Sequence, residues 1–176
     1  LWRSPQAEAL YEDSPGYLGT RLAVRQILAT VAANWPAHRR LRVLEIGRGV
    51  SDLVADLAAT IPVDRTDYVL AHGDEELCTR LQSEYHDHPA VQVARLAGEG
   101  LALEGAGTLP DAFDVIILRH WLHLAANPVA VLAAARQKLA QGGLLLVAER
   151  HPDLVADLLS GLDAATRRVT LEDGAL

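Results

Sequence analysis

The sequence predicts an α/β fold, a mostly parallel sheet in the order 3-2-1-4-5 with helices on both faces. Three observations predict it. Short apolar runs that read as strands alternate with segments of helical length and period. A glycine-bearing turn follows the first apolar run. The chain has 176 residues, 50% hydrophobic and 22% charged, which suits one sheet and its covering helices.

The elements follow in order. Residues 1–16 form an irregular lead-in, with turn signals at Asp13-Ser14-Pro15-Gly16, and residues 17–176 form a single domain. Tyr17–Asn34 reads as a helix, with Leu18, Leu22, Ile27, Leu28 and Val31 at helical spacing and Trp35-Pro36 closing it. Arg42–Ile46 is the first strand, ending at Gly47; Ser51–Thr60 is a helix with Leu53, Val54, Leu57 and Ala58 on one face. Asp67–Ala71 is the second strand, and Asp74–Tyr85 a helix with Asp74 as its N-cap. Val91–Leu96 and Phe113–Leu118 are the third and fourth strands. Asn127–Ala140 is a helix, Leu144–Ala148 the fifth strand after a Gly142-Gly143 turn, and Asp153–Leu162 a last helix.

Composition excludes several classes of function. The net charge of −7 is scattered along the chain, whereas a nucleic-acid surface needs a basic patch. The apolar runs Val43–Ile46, Val115–Leu118 and Leu144–Val147 are too short to cross a bilayer, and no signal peptide is visible. The lone Cys78 has no partner for an internal disulfide, which fits a reducing, cytoplasmic setting. The chain starts at Leu1 and contains no methionine, so it is expected to be a piece of something longer; Lys138 as the sole lysine hints at a GC-rich bacterial genome. His86-x-His88 and His120-x-x-His123 have no cysteine or acidic cluster at ligand spacing, so no metal site is expected. Trp2, Trp35 and Trp121 read as packing residues.

The first loop, Glu45-Ile46-Gly47-Arg48-Gly49-Val50-Ser51-Asp52, is the candidate cofactor site. Glycine between a first strand and its helix lets a ligand approach bare backbone. Gly47 and Gly49 are present, but Asp52 stands where a dinucleotide fingerprint has its third glycine. The same G-x-G also suits a tight turn that needs positive φ.

With that loop the chain resembles a known family. Val43-Leu44-Glu45-Ile46-Gly47-x-Gly49 is similar to motif I of class I S-adenosylmethionine-dependent methyltransferases. Phe113-Asp114-Val115-Ile116-Ile117-Leu118-Arg119-His120-Trp121-Leu122-His123 resembles the segment F-D-V-V-x-A-x-N-V-L-H-A of polyketide synthase C-methyltransferase domains. Lys138 to Glu149 is similar to that family's L-L-x-P-G-G-x-L-L-L-x-E, and Leu158–Leu162 to its L-x-F-G-L helix. The resemblance spans about Tyr17 to Asp163. It implies a Rossmann-like methyltransferase fold, truncated at the C-terminal end, since a full sheet carries two further strands. It also implies that His123 is a general base acting on the α-carbon of a β-ketoacyl thioester, with Glu149 orienting it, chemistry suited to a histidine that titrates near neutrality.

The departures from the family pattern concern the cofactor. Its motif I reads E-I-G-A-G-T-G-G; here Arg48, Val50, Ser51 and Asp52 differ, and Arg48 puts a long cation where alanine leaves room. At the end of the second strand the family has a ribose-binding acid, and this chain has His72. After the third strand it has an aspartate toward the adenine amine, and this chain has Ala97. Neither offers a carboxylate's charge-assisted hydrogen bonds. At about 1–3 kcal/mol for each anchor, such losses weaken binding by a few orders of magnitude.

The residues therefore read as a non-catalytic pseudo-methyltransferase domain with a structural role in a polyketide or fatty-acid-type synthase, partnered by neighbouring domains and needing no cofactor. Glu45, Gly47, Gly49, His72 and Ala97 would be the degenerate cofactor positions and His123 and Glu149 a vestigial pair. The rival reading is an active S-adenosylmethionine-dependent C-methyltransferase acting on an acyl-carrier-protein-bound β-ketoacyl thioester. A free-standing methyltransferase on another small substrate is a third.

Overall fold

The computed structural model describes residues 15–47, 53–54, 63–97, 101–105 and 109–149. The expected contributions of Arg48, Gly49 and the helix over Asp153–Leu162 lie outside the described residues, as does the truncation expected at the C-terminal end; of Ser51–Thr60 only the helical residues 53–54 lie within them.

The elements run α1 (Pro15–Ala33), β1 (Leu41–Gly47), β2 (Thr66–His72), α2 (Glu75–Glu84), β3 (Val91–Ala97), β4 (Ala102–Gly105), β5 (Phe113–Arg119), α3 (Pro128–Lys138) and β6 (Leu139–Ala148). The six strands form one sheet in the order β4-β3-β2-β1-β5-β6. All neighbours are parallel except β3 and β4, which are antiparallel. The five strands predicted from sequence fall in the predicted order. The short edge strand β4, half polar and preceded by Leu101 at φ 53, carries too weak an alternation to be seen in the sequence.

The central strands explain why the sequence was legible. β5 is buried at every residue and β1 at all but Arg42, because both of their faces are covered. On one face Leu41, Val43, Tyr68, Leu70, Val115 and Ile117 pack beneath α1 and α2. On the other, Leu44, Ile46, Val69, Ala71, Ile116 and Leu118 pack beneath Val131 and Ala135 of α3.

Some details differ from expectation. The first helix includes Pro15 and Gly16, since proline is pre-organised for a first helical turn. Its buried stripe is Val24 and Leu28; Leu18, Leu22 and Ile27, counted by spacing as part of the core face, are exposed. Asp74 does cap α2, its Oδ1 accepting from the Glu76 and Leu77 amides at 2.9 and 3.2 Å. Gly142-Gly143 is no free turn but a bulge within β6, with Gly142 at φ 75 and the register to β5 shifted between Phe113 and Val115. Asp114, part of the family-like segment, clamps the far ends of β1 and β5. Its carboxylate accepts from the Arg42 amide at 3.0 Å, from the Arg42 guanidinium at 3.1 and 3.2 Å, and from Arg39.

The bulge makes a prediction. A Cβ on Gly143 would sit 2.9 Å from the Ala140 carbonyl and 3.2 Å from that of Asp114. Gly143→Val is expected to cost about 1–3 kcal/mol through overpacking against backbone, read from the urea midpoint; an unchanged midpoint would show that the bulge yields freely.

Candidate active site

In an open α/β sheet, sites form beyond the carboxyl ends of the strands. Here those ends carry Glu45 and Gly47 on β1, His72 on β2, Ala97 on β3, Arg119 and then His120 on β5, and Glu149 after β6.

Parallel pairing of β5 with β6 sets Arg119 opposite Ala148, so the chain beyond each strand enters the same space. After Arg119 the backbone reverses at His120, whose φ is 50, and its amide donates to the Ala148 carbonyl at 2.7 Å. A 3-10 turn, Leu122–Leu124, follows, and no side chain of its own caps it. Glu149 does so from the neighbouring strand: Oε1 accepts from the Trp121 and Leu122 amides at 3.1 and 2.7 Å, and Oε2 lies 2.5 Å from His123 Nδ1. The structure thus brings His123 and Glu149 together. Burial pushes the Glu149 carboxyl up, but the hydrogen bond and charge of His123, the Leu122 amide and the charge of His120 outweigh it. The carboxyl is held below the ordinary value of 4.5. The ionised carboxylate is hydrogen-bonded to His123 Nδ1. Nε2, on the other side of the ring, is shielded from solvent and has no hydrogen-bond partner among the described residues.

The first-strand side of the site is arranged differently. Glu45 is 1% exposed and Arg119 3%. Glu45 Oε2 accepts from the Tyr68 hydroxyl at 2.7 Å, and Oε1 pairs with Arg119 Nε at 3.2 Å. Burial and the Glu45 charge push the Tyr68 phenol well above its ordinary range, so it stays a donor. The Arg119 side chain lies against Gly47, within 3.7–3.9 Å of where a Cβ would be. Arg119 and Tyr68 were not anticipated from sequence. Arg119 falls at an unspecified position of the family-like segment, and Tyr68 reads as one more strand aromatic.

His72 Nδ1 accepts from the Asp74 amide at 2.9 Å, at the exposed surface. A neutral ring accepting at Nδ1 carries its proton on Nε2, so neither nitrogen is left to accept from a ligand hydroxyl. Asp74, the nearest acid, has its Oδ1 engaged in capping α2. Ala97, opposite Ala102 of β4, offers no acceptor.

The remaining histidines do not converge. His86 pairs with Asp87 at the exposed surface, and the His88 ring lies edge-on to Tyr85 at 6.3 Å. Among the described residues no three His, Cys, Asp or Glu side chains group as a metal site requires. Trp35 and Trp121 pack against the two core clusters, while Trp2 lies outside the described residues. No helix among the described residues is long and apolar enough to cross a membrane.

A mostly parallel sheet in this order, with a histidine–carboxylate pair at its carboxyl edge, has a Rossmann-like methyltransferase fold. Residues 44–145 match the methyltransferase domain family, and the chain belongs to it. It is 31% identical over 150 residues to the polyketide synthase ThaG of Burkholderia thailandensis, an alignment covering 81% of this chain and 3% of that synthase. Among solved structures it superposes on the CurJ carbon methyltransferase with TM-score 0.77 at 21% identity, over 92% of this chain and 43% of that one. It is also similar to the trans-methyltransferase CalH in complex with SAH, with TM-score 0.64 at 22% identity, over 93% of this chain and 48% of that one.

The two halves of the site respond differently to substitution. Arg119→Met leaves the Glu45 carboxylate buried without its counter-charge and is expected to cost about 3–5 kcal/mol. Tyr68→Phe removes a neutral donor and should cost about 1–3 kcal/mol. Urea unfolding ranks them, and an Arg119 cost no larger than that of Tyr68 contradicts the ion pair. Because the folded-state pKa of Glu149 is depressed, its stabilisation is fully present above 4.5 and is lost as pH falls through the lower folded value. The stability gap between wild type and Glu149→Gln should therefore narrow below that pH; a gap that widens on acidification contradicts the assignment.

Proposed function

We propose that this chain is a pseudo-methyltransferase domain of a polyketide synthase, one that transfers no methyl group and serves as a structural unit among neighbouring catalytic domains. The observation that carries the reading is the Glu45–Arg119–Tyr68 cluster. S-Adenosylmethionine brings a sulfonium and an ammonium, and a site for it needs anionic or accepting groups at the strand ends. Glu45 already holds a buried arginine and a tyrosine hydroxyl. His72 has its accepting nitrogen engaged by Asp74, and Ala97 has no polar side-chain atom to offer. These described residues do not fit the group. The long relatives support the setting, since the chain spans only 3% of ThaG and 7% of the non-reducing polyketide synthase ausA of Emericella nidulans. The partners proposed are the neighbouring domains of one cytoplasmic megasynthase.

The rival reading, an active C-methyltransferase on an acyl-carrier-protein-bound β-ketoacyl thioester, is favoured by one observation, the assembled His123–Glu149 pair. Calorimetric titration of the purified chain with S-adenosylmethionine separates the two. The expected outcome is no saturable binding in the low micromolar range. A low-micromolar dissociation constant overturns the proposal and promotes the active enzyme.

A further inference from the structure

We propose that Arg119 is a plug, a cation built into the chain that holds Glu45 in place of a ligand's cationic group, so that removing its guanidinium uncovers a binding site for a small organic cation. The inference rests on the reading that the cofactor site is lost, and it names the side chain that closes that site.

Strand register puts the arginine between the carboxylate and the open end of the sheet. Glu45 lies opposite Ile117 of β5, while Gly47, the last residue of β1, lies opposite Arg119, the last residue of β5. Side chains alternate along a strand, so Glu45 and Arg119 share the face that carries Val43, Tyr68, Val115 and Ile117. Arg119 is therefore nearer the carboxyl edge than Glu45, on the same face and the adjacent strand. Its stem lies against Gly47, with Nε 3.7 Å from where a Cβ would be, and Nε is 3.2 Å from Glu45 Oε1. Tyr68, opposite Val43, holds Oε2 at 2.7 Å from the amino side. A ligand approaching from the carboxyl edge meets the guanidinium before the carboxylate.

The plug matches what it excludes. Glu45 is 1% exposed and Arg119 3%, so the carboxylate depends on a counter-charge that water does not replace. Arg119→Ala removes the side chain from Cγ outward, which is the shape of an ethylguanidinium ion. That ion brings back the same charge and the same donors to Glu45 Oε1. N-Ethylurea has the same shape but no charge, and it leaves the carboxylate without a counter-ion. In the wild type the position is filled by the chain itself, so neither compound has a place to bind.

The test follows thermal unfolding of the full chain by circular dichroism with millimolar ethylguanidinium chloride, against N-ethylurea and against sodium chloride at equal ionic strength. Arg119→Ala is expected to gain about 2–4 °C in Tm, saturably, from ethylguanidinium alone. Wild type and the double variant Glu45→Gln/Arg119→Ala are expected to gain nothing. If Arg119→Ala is unfolded, Arg119→Gln replaces it, with methylammonium as the cation and the same Glu45→Gln control. No saturable gain in the folded arginine variant, an equal gain in wild type, or a gain that survives Glu45→Gln overturns the inference. Titration of wild type with S-adenosylmethionine is a separate arm. Binding there overturns the proposed loss of the cofactor site, while the plug is read from the ethylguanidinium series alone.

Discussion

The rest of this structure depends on how charge is accommodated at the ends of central strands that are dry on both faces. β1 and β5 lie side by side in the middle of the sheet, with helices above and below, so the charged side chains buried there, Glu45, Asp114 and Arg119, are cut off from water. Each such group has to meet its partner inside the protein, because an ion moved from water to the interior loses several kcal/mol of hydration. At the amino ends Asp114 meets Arg42 and Arg39. At the carboxyl ends Glu45 meets Arg119 and Tyr68. These pairings tie β1 to β5 at both ends and fix what the carboxyl edge can offer to anything outside.

The carboxyl edge consequently has two unlike halves. On the β1 and β2 side, each accepting group already has an internal partner: Glu45 a buried guanidinium, His72 a backbone amide. On the β5 and β6 side, Glu149 caps a turn through two amides and orients His123, whose second nitrogen is left open. Both halves use the same physics, a buried polar group seeking compensation. They differ in whether the last partner is supplied by the chain. Where it is, the site is closed to a polar ligand; where it is not, a position for one remains.

Much of the fold was legible in the sequence, for a simple reason. Strands buried on both faces read as unbroken apolar runs, and helices between them keep their own period, so the order of the parallel strands followed from alternation alone. Legibility failed where burial was partial. β4 has only Leu103 less than exposed, and α1 has apolar residues on more than one face, so spacing picked Leu18 and Leu22 along with the buried Leu28 and passed over the buried Val24. For the site, His123 and Glu149 were found because their residue types and flanking runs form a recognisable pattern. Arg119 and Tyr68 were not, since nothing along the chain marks an arginine as the partner of a glutamate on another strand.

What the sequence determined by itself was the run of parallel strands and the family, both properties of local pattern and side-chain type. Tertiary structure alone decided which partner each remaining polar group meets. His72 could have left its accepting nitrogen open, and Glu45 could have faced a ligand. That Glu45 faces a buried arginine and that Glu149 reaches the amides of a turn beyond β5 follow from strand register. Register places side chains distant in sequence within hydrogen-bond range, and in a dry interior that proximity settles the chemistry each group retains.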